Sequence, residues 1–298
     1  MRFGVATAIE RTTPDELRPL WARLEEVGYD TLAVSDHFEA LRADGGCLEA
    51  VAMHAALAMS TTTARCGCLV YSVAYRTAPV LAHVAATLDL LSGGRAFLGL
   101  GAGWYEQEQV ARGYPVEDAG TRSDRLKEAT TAITRLLHDD APVSVDGDHV
   151  VLRGATVEPR PVQSRLPVWV GGGGERRTIP MAGRVADGWN VPMATLDDYR
   201  RKAALLRRSA EAAGRDPAGV EATVSLGIGF DEAALRERYG ARLDAMRPSI
   251  LSGSTDEVVE RVAAYRDAGA DTVLLSVRAP FPVEDLERFA AEVVPAFR

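Results

Sequence analysis

Pro167-Val168-Trp169-Val170-Gly171-Gly172-Gly173-Gly174-Glu175-Arg176-Arg177 joins a short apolar run to four glycines and then to a segment of helical character. The apolar run reads as a strand, and the segment beyond the glycines reads as a helix over about 175–184. Four glycines leave the backbone bare, so its N–H groups can close on a ligand. A helix start just beyond adds unpaired N–H groups and a partial positive charge, which together suit a phosphate. Arg176 and Arg177 oppose the helix dipole, and a nearby anion would explain them. The competing reading is a flexible strand-to-helix turn with solvated arginines.

The same strand-to-helix unit recurs on both sides of this stretch. Strands are expected at 2–8, 31–35, 65–71 and 95–100 before it, and at 188–191, 222–227 and 272–277 after it. Helices alternate with them. Thr13-Pro14-Asp15-Glu16 opens the first, with a Thr cap, Pro at the first helical position and Glu completing a capping box. Leu17, Leu20, Trp21, Leu24 and Val27 then share one face, and Gly28 ends it. Further helices are expected near 48–60, 80–91, 121–138, 196–213, 255–268 and 283–294. Ser254-Thr255-Asp256-Glu257 is a second capping box. Eight strands alternating with eight helical segments in 298 residues predict one (β/α)8 TIM barrel as a single domain over 1–298. A doubly wound sheet is the competing arrangement. Residues 141–165 break the rhythm. Val143 to Val151 reads as a small hairpin turned at Asp146-Gly147, an insertion rather than a domain.

The bulk composition fits such a domain. Apolar residues make up 47% and charged residues 26%, and the formal net charge is −8. An acidic chain without a basic patch argues against a nucleic-acid partner. The stretch 48–59 contains Glu49 and His54 and is too short to span a bilayer. The N-terminus is too soon interrupted by charge to be a signal peptide. Cys47, Cys66 and Cys68 give neither a disulfide framework nor zinc spacing, so reduced thiols in a cytoplasmic protein and no metal site are expected.

In a barrel of this kind the chemistry lies at the C-terminal ends of the strands. Those ends carry Thr7, Asp36-His37, Tyr71-Ser72-Val73, Gly101-Ala102-Gly103-Trp104, the glycine run, Asn190, Gly227 and Arg278. Asp36-His37 is the strongest acid–base candidate. His54 and His83 read as packing residues inside helices. Gly99-Leu100-Gly101-Ala102-Gly103-Trp104 is no dinucleotide fingerprint, because Trp104 stands where the third glycine should be and the motif comes after the fourth strand. Its glycines read instead as places where backbone approaches a flat ligand. Ser252-Gly253-Ser254-Thr255 is either a phosphate loop or ordinary helix capping.

These segments together resemble the luciferase-like monooxygenase family, in the branch that uses the deazaflavin coenzyme F420. The resemblance runs through Asp36-His37-Phe38, Leu69 to Arg76, Leu91 to Arg95, Gly99 to Trp104, Glu158 to Gln163, the run from Gly171 to Arg176, Ala186 to Asn190 and Gly214 to Pro217. It implies a barrel whose insertion shields the pocket, with the deazaflavin ring lying across the strand ends. It implies a non-proline cis peptide behind the ring, matched here to Ser72–Val73. It places the cofactor phosphate at Gly172, Gly173, Gly174 and Arg176. It places Asp36, Tyr71, Ser72, Val73 and Gln107 beside the ring or its side chain, and Trp104 and Asn190 in the substrate pocket. His37 becomes the proton donor or acceptor, with Asp36 orienting it or touching the ring.

Similar dehydrogenases of sugar phosphates and alcohols carry an acidic residue at the position of Trp104 and a Trp near Leu41. This chain has neither, so a bulkier, less polar substrate is expected. The implied activity is hydride transfer between F420 and an organic small molecule, with reduction of an activated C=C or C=N bond included. An FMN-dependent monooxygenase is the alternative, and a flavin-binding protein without catalysis a third reading. A homodimer is expected by family analogy.

Overall fold

The computed structural model describes residues 1–41 and 45–298. Eight parallel strands form the barrel: β1 (Arg2–Thr7), β2 (Thr31–Val34), β3 (Arg65–Ser72), β4 (Ala96–Gly101), β7 (Val168–Gly171), β8 (Gly188–Pro192), β9 (Glu221–Gly229) and β11 (Thr272–Val277). Each pairs with the next, and β11 pairs with both β9 and β1, which closes the ring. The strands are nearly continuous apolar runs because helices cover their outer face and side chains fill the inside. β4 is buried at all six positions.

The helices lie where capping chemistry puts them. α1 (Pro14–Glu26) starts at Thr13, with both bonds of the capping box formed, and buries Leu17, Leu20, Trp21 and Leu24. α10 (Thr255–Asp267) starts at Ser254 with its box also complete. α2 (Ala50–Ser60), α3 (Ala78–Ser92), α5 (Ala119–His138), α6 (Thr178–Val185), α7 (Leu196–Glu211) and α11 (Val283–Arg288) supply the other crossovers. The expected hairpin is β5 (Val143–Asp146) against β6 (Val151–Ala155), and its turn is closed by Gly147 N donating to Val150 O at 3.0 Å.

Several elements depart from the sequence reading. α6 begins at Thr178 rather than near Glu175, and its N-cap, Arg177, makes no side-chain cap bond. A short strand, β10 (Ile250–Ser252), pairs with the far end of β9. α8 (Glu232–Tyr239) and α9 (Leu243–Met246) sit between them. α4 (Glu106–Ala111) comes directly after β4. It is six residues long and mixes polar side chains, so no apolar periodicity announces it.

The cis peptide is the clearest correction. It joins Leu69 to Val70, not Ser72 to Val73. There the register of β3 against β4 shifts between Cys68 and Tyr71. The neighbouring strands are cut away to receive it. A Cβ on Gly171 would lie 2.6 Å from Val70 Cγ1, and one on Gly101 would collide with Val70 Cγ2. One on Gly99 would run into the Cys68 carbonyl. Gly99 and Gly101 therefore make room for β3, a tighter demand than the approach of a ligand. Among the described residues, no helix is long and apolar enough to cross a membrane.

Candidate functional site

A cavity of about 440 Å³ opens at the C-terminal end of the barrel, and all eight barrel strands or the residues just past them contribute to its wall. Thr7, Asp36, His37, Ser72, Asn190, Ser225 and Arg278 bring polar groups to it. Leu69, Val70, Gly101, Gly103, Gly171 and Gly172 form a wall of bare backbone and short side chains. Trp104 and Tyr105 line the cavity as well, stacked with centroids 5.3 Å apart.

His37 stands at the end of β2 with its ring edge-on to Trp104 and Tyr105, at 5.9 and 6.3 Å between centroids. Its Nδ1 lies 3.2 Å from Glu108 Oε2. Glu108 is fully buried on α4. Its Oε1 accepts from the backbone N–H groups of Phe38 and of Glu39, the latter at 2.9 Å. Its Oε2 also accepts from Tyr75 Oη at 2.5 Å. Burial pushes the Glu108 carboxyl up, but the bonds from Tyr75, Phe38 and Glu39 outweigh it and hold the group below its ordinary range. Phe38, Tyr75 and Tyr114 pack behind this carboxylate as an aromatic cluster. Arg112 of the same helix end lies over Phe38 and donates to its carbonyl at 3.0 Å.

Asp36 makes no hydrogen bond to His37. Its Oδ2 accepts from Ser72 N at 2.9 Å and from Arg76 Nη1 at 2.8 Å, which ties the end of β2 to the end of β3. Its Oδ1 is buried without a partner. Burial raises the Asp36 carboxyl above its ordinary range, against the pull of Arg76. Arg76 reaches on to Glu49.

The other expected site residues divide. Ser72 and Asn190 line the cavity. Asn190 spends its Nδ2 on Thr223 Oγ1 at 2.8 Å and Ser225 Oγ at 3.0 Å. Tyr71 and Val73 are buried outside the cavity wall. Tyr71 bonds His54 Nδ1 through its hydroxyl at 3.0 Å, and Val73 N donates to Gly101 O at 3.0 Å. Gln107 is exposed on α4 and outside the cavity wall. The buried residues of that turn are Glu108 and Gln109, and both polar atoms of Gln109 lack partners. Successive helical residues point about 100° apart, so a one-residue difference decides inside from outside.

The glycine run turns away from β7 with Gly172 at φ +134°. Gly172 N donates to Asn190 O at 2.9 Å. The N–H groups of Gly173 and Gly174 have no partner among the described residues. A Cβ on Gly173 would lie 3.1 Å from Lys202 Nζ, so an ammonium borders the bare turn. Lys202 was not legible as a site residue, because it stands on α7, 29 positions further on. Arg176 has no partner among the described residues, whereas Arg177 donates to Gly120 O at 3.2 Å and Asp124 Oδ1 at 2.7 Å. The Ser252–Thr255 segment resolves as helix capping: Glu257 Oε2 accepts from Ser254 N at 2.7 Å, which puts a carboxylate where an anion would bind.

The family model for luciferase-like monooxygenases matches residues 1–247. The chain is 29% identical to an F420-dependent glucose-6-phosphate dehydrogenase of Kineococcus radiotolerans, over all of this chain and 97% of that one. It is 32% identical to the enzyme of the same name from Amycolatopsis mediterranei, over 88% of this chain and 80% of that one. Among solved structures, an F420-dependent secondary alcohol dehydrogenase in complex with an F420-acetone adduct superposes with a TM-score of 0.89 at 21% identity, covering 100% and 99% of the two chains. The monooxygenase RslO1 from Streptomyces bottropensis superposes with a TM-score of 0.81 at 21% identity, covering both chains completely. This chain belongs to the luciferase-like monooxygenase family.

Proposed function

We propose that this protein is an F420-dependent oxidoreductase, one domain over its 298 residues, that transfers a hydride between the deazaflavin and an organic substrate. The observation that carries the reading is His37 at the cavity, backed by a buried carboxylate, in a chain whose relatives are named for F420. The cavity suits the group. Bare glycine backbone and the Leu69–Val70 segment offer a flat wall, and the orphaned Asp36 Oδ1 offers an acceptor at its edge. Gly173, Gly174, Lys202 and Arg176 suit the phosphate of the tail, with Gly172 fixing the turn.

Bound F420 supplies a two-electron centre that accepts or gives hydride. The protein supplies position, exclusion of water and one proton site. When a substrate alcohol is oxidised, its carbon loses hydride and its hydroxyl proton goes to His37 Nε2. In reduction the proton returns to the oxygen. Reduction of a C=C or C=N bond uses the same proton. Trp104 walls the substrate side with a flat apolar face, which favours substrates less polar than a sugar phosphate.

The deciding experiment is titration of the purified protein with F420 and, separately, with FMN, tracking the quenching of Trp fluorescence. F420 is expected to bind and FMN to bind weakly. Tight FMN binding with no response to F420 overturns the reading in favour of a flavin monooxygenase.

We infer that the protein is a cytoplasmic homodimer assembled through α2 and α3. Met59, Val80, Leu90 and Leu91 are large apolar residues exposed on these helices. A groove between the helices is lined by Val51, Val80, Val84 and Leu91. A monomer seldom leaves an apolar groove flanked by exposed large apolar residues in water. Sedimentation equilibrium should give twice the chain mass, and Val80→Asp with Leu91→Asp should halve it.

A further inference from the structure

We propose that Glu108 is the positioning residue of His37: it fixes the ring as the tautomer with the proton on Nδ1 and the lone pair of Nε2 toward the cavity. The proposal rests on the reading of His37 as the proton site, yet the tautomer can be measured without any turnover.

An ionised carboxylate only accepts hydrogen bonds. Glu108 Oε1 takes the two backbone N–H groups next after His37 in the chain, and Oε2 takes the Tyr75 hydroxyl. Three donors thus hold the charge and the orientation of the carboxylate before His37 is considered. The ring nitrogen 3.2 Å from Oε2 must then be the donor, so Nδ1 carries hydrogen. In a neutral imidazole the other nitrogen is the acceptor. Because the carboxylate also grips the backbone of Phe38 and Glu39, it is anchored to the segment that carries the ring. Trp104 and Tyr105 pack edge-on against the ring and oppose its rotation. Asp36 does not do this work: its Oδ2 bonds Ser72 and Arg76, its Oδ1 has no partner, and the carboxylate beside the His37 ring is Glu108. When Nε2 gains a proton, Nδ1–H keeps its bond, and the new positive charge faces a buried negative one.

The test is ¹⁵N NMR of histidine-labelled protein, with His37→Gln assigning the resonance and the neutral ring identified by its own pair of ¹⁵N shifts. In the wild type the His37 signals should be those of protonated Nδ1 and bare Nε2. In Glu108→Gln the amide oxygen is expected to keep the two backbone N–H groups, which turns the NH₂ toward Nδ1. Nδ1 then becomes the acceptor, and the two signals should exchange character. Tyr75→Phe should leave the wild-type tautomer dominant but broaden its signals. F420 affinity in Glu108→Gln should stay within about twofold of wild type, since Glu108 lies outside both the cavity wall and the tail site. A wild-type ring protonated on Nε2 overturns the proposal, as does an unchanged His37 signal in Glu108→Gln. If Glu108→Gln fails to fold, the wild-type spectrum decides. Loss of F420 binding in the wild type would instead strike at the proposed function and leave the tautomer result standing.

Discussion

The Val70 side chain occupies the space that a Cβ on Gly171 would need, 2.6 Å from Val70 Cγ1. Two strands that flank β4 therefore interlock through one branched side chain and one absent one. The cavity wall at Leu69–Val70 is set by this fit, and the first glycine of the run serves packing before it serves any ligand.

Gly171→Ala should destabilise the protein by about 1–3 kcal/mol, the usual cost of overpacking a tight core contact. Val70→Ala should also destabilise, by cavity formation. The double variant should be more stable than the sum of the single losses predicts, because each change relieves the other. Urea unfolding of the four proteins measures the coupling, and strict additivity would show that the contact relaxes without cost.

His54 links stability to pH. Burial holds its imidazole down at about 4, and the ring bonds the Tyr71 hydroxyl at 3.0 Å. The folded protein binds this proton less readily than the unfolded chain. The contribution is complete above about pH 6.5 and is lost as pH falls toward 4. Between pH 7 and pH 5 it should cost about 2 kcal/mol of unfolding free energy. His54→Leu should flatten that slope, although it leaves Tyr71 unpaired and lowers stability at pH 7. Denaturant midpoints at the two pH values give the comparison.

Lys202→Ala and Arg176→Ala should each weaken F420 binding by about tenfold to a hundredfold, the range for one charge-assisted contact to phosphate. The deazaflavin fragment without its phosphate tail should bind wild type and variants alike. Fluorescence titration with both ligands separates loss of the anchor from loss of the fold.

Trp104 is 63% exposed although it lines the cavity. Trp104→Ala should change stability by less than about 0.5 kcal/mol, as for most surface substitutions. It should raise KM for a planar apolar substrate far more than it changes F420 affinity. Thermal melts and steady-state kinetics on one preparation test both halves.

Much of the fold is legible because it depends on near neighbours. Thr13 with Glu16 and Ser254 with Glu257 are capping pairs three residues apart, and both form as expected. The alternation of buried strands and amphipathic helices stems from periodic burial, which any short window of sequence displays. Asp36-His37 and Trp104 could be placed at the cavity because barrel topology puts strand ends there.

The long-range pairings were not legible. His37 and Glu108 are 71 positions apart, and α4, which carries Glu108, is too short and polar to announce itself. Gln107 stands beside the buried face of α4 by one residue, and only the helix phase shows that it points out. The resemblance matches the cis peptide to Ser72–Val73, whereas it lies three residues earlier, at Leu69–Val70. The notches at Gly99, Gly101 and Gly171, on two other strands, mark the segment that β4 and β7 accommodate. The alternation of barrel strands with their covering helices is a property of the sequence alone, since local propensity and periodic burial act within a few residues. Which carboxylate lies beside His37, which backbone forms the cavity wall and which cations border the glycine turn are decided by tertiary structure, because single polar and steric contacts between distant strands leave no periodic trace in the chain.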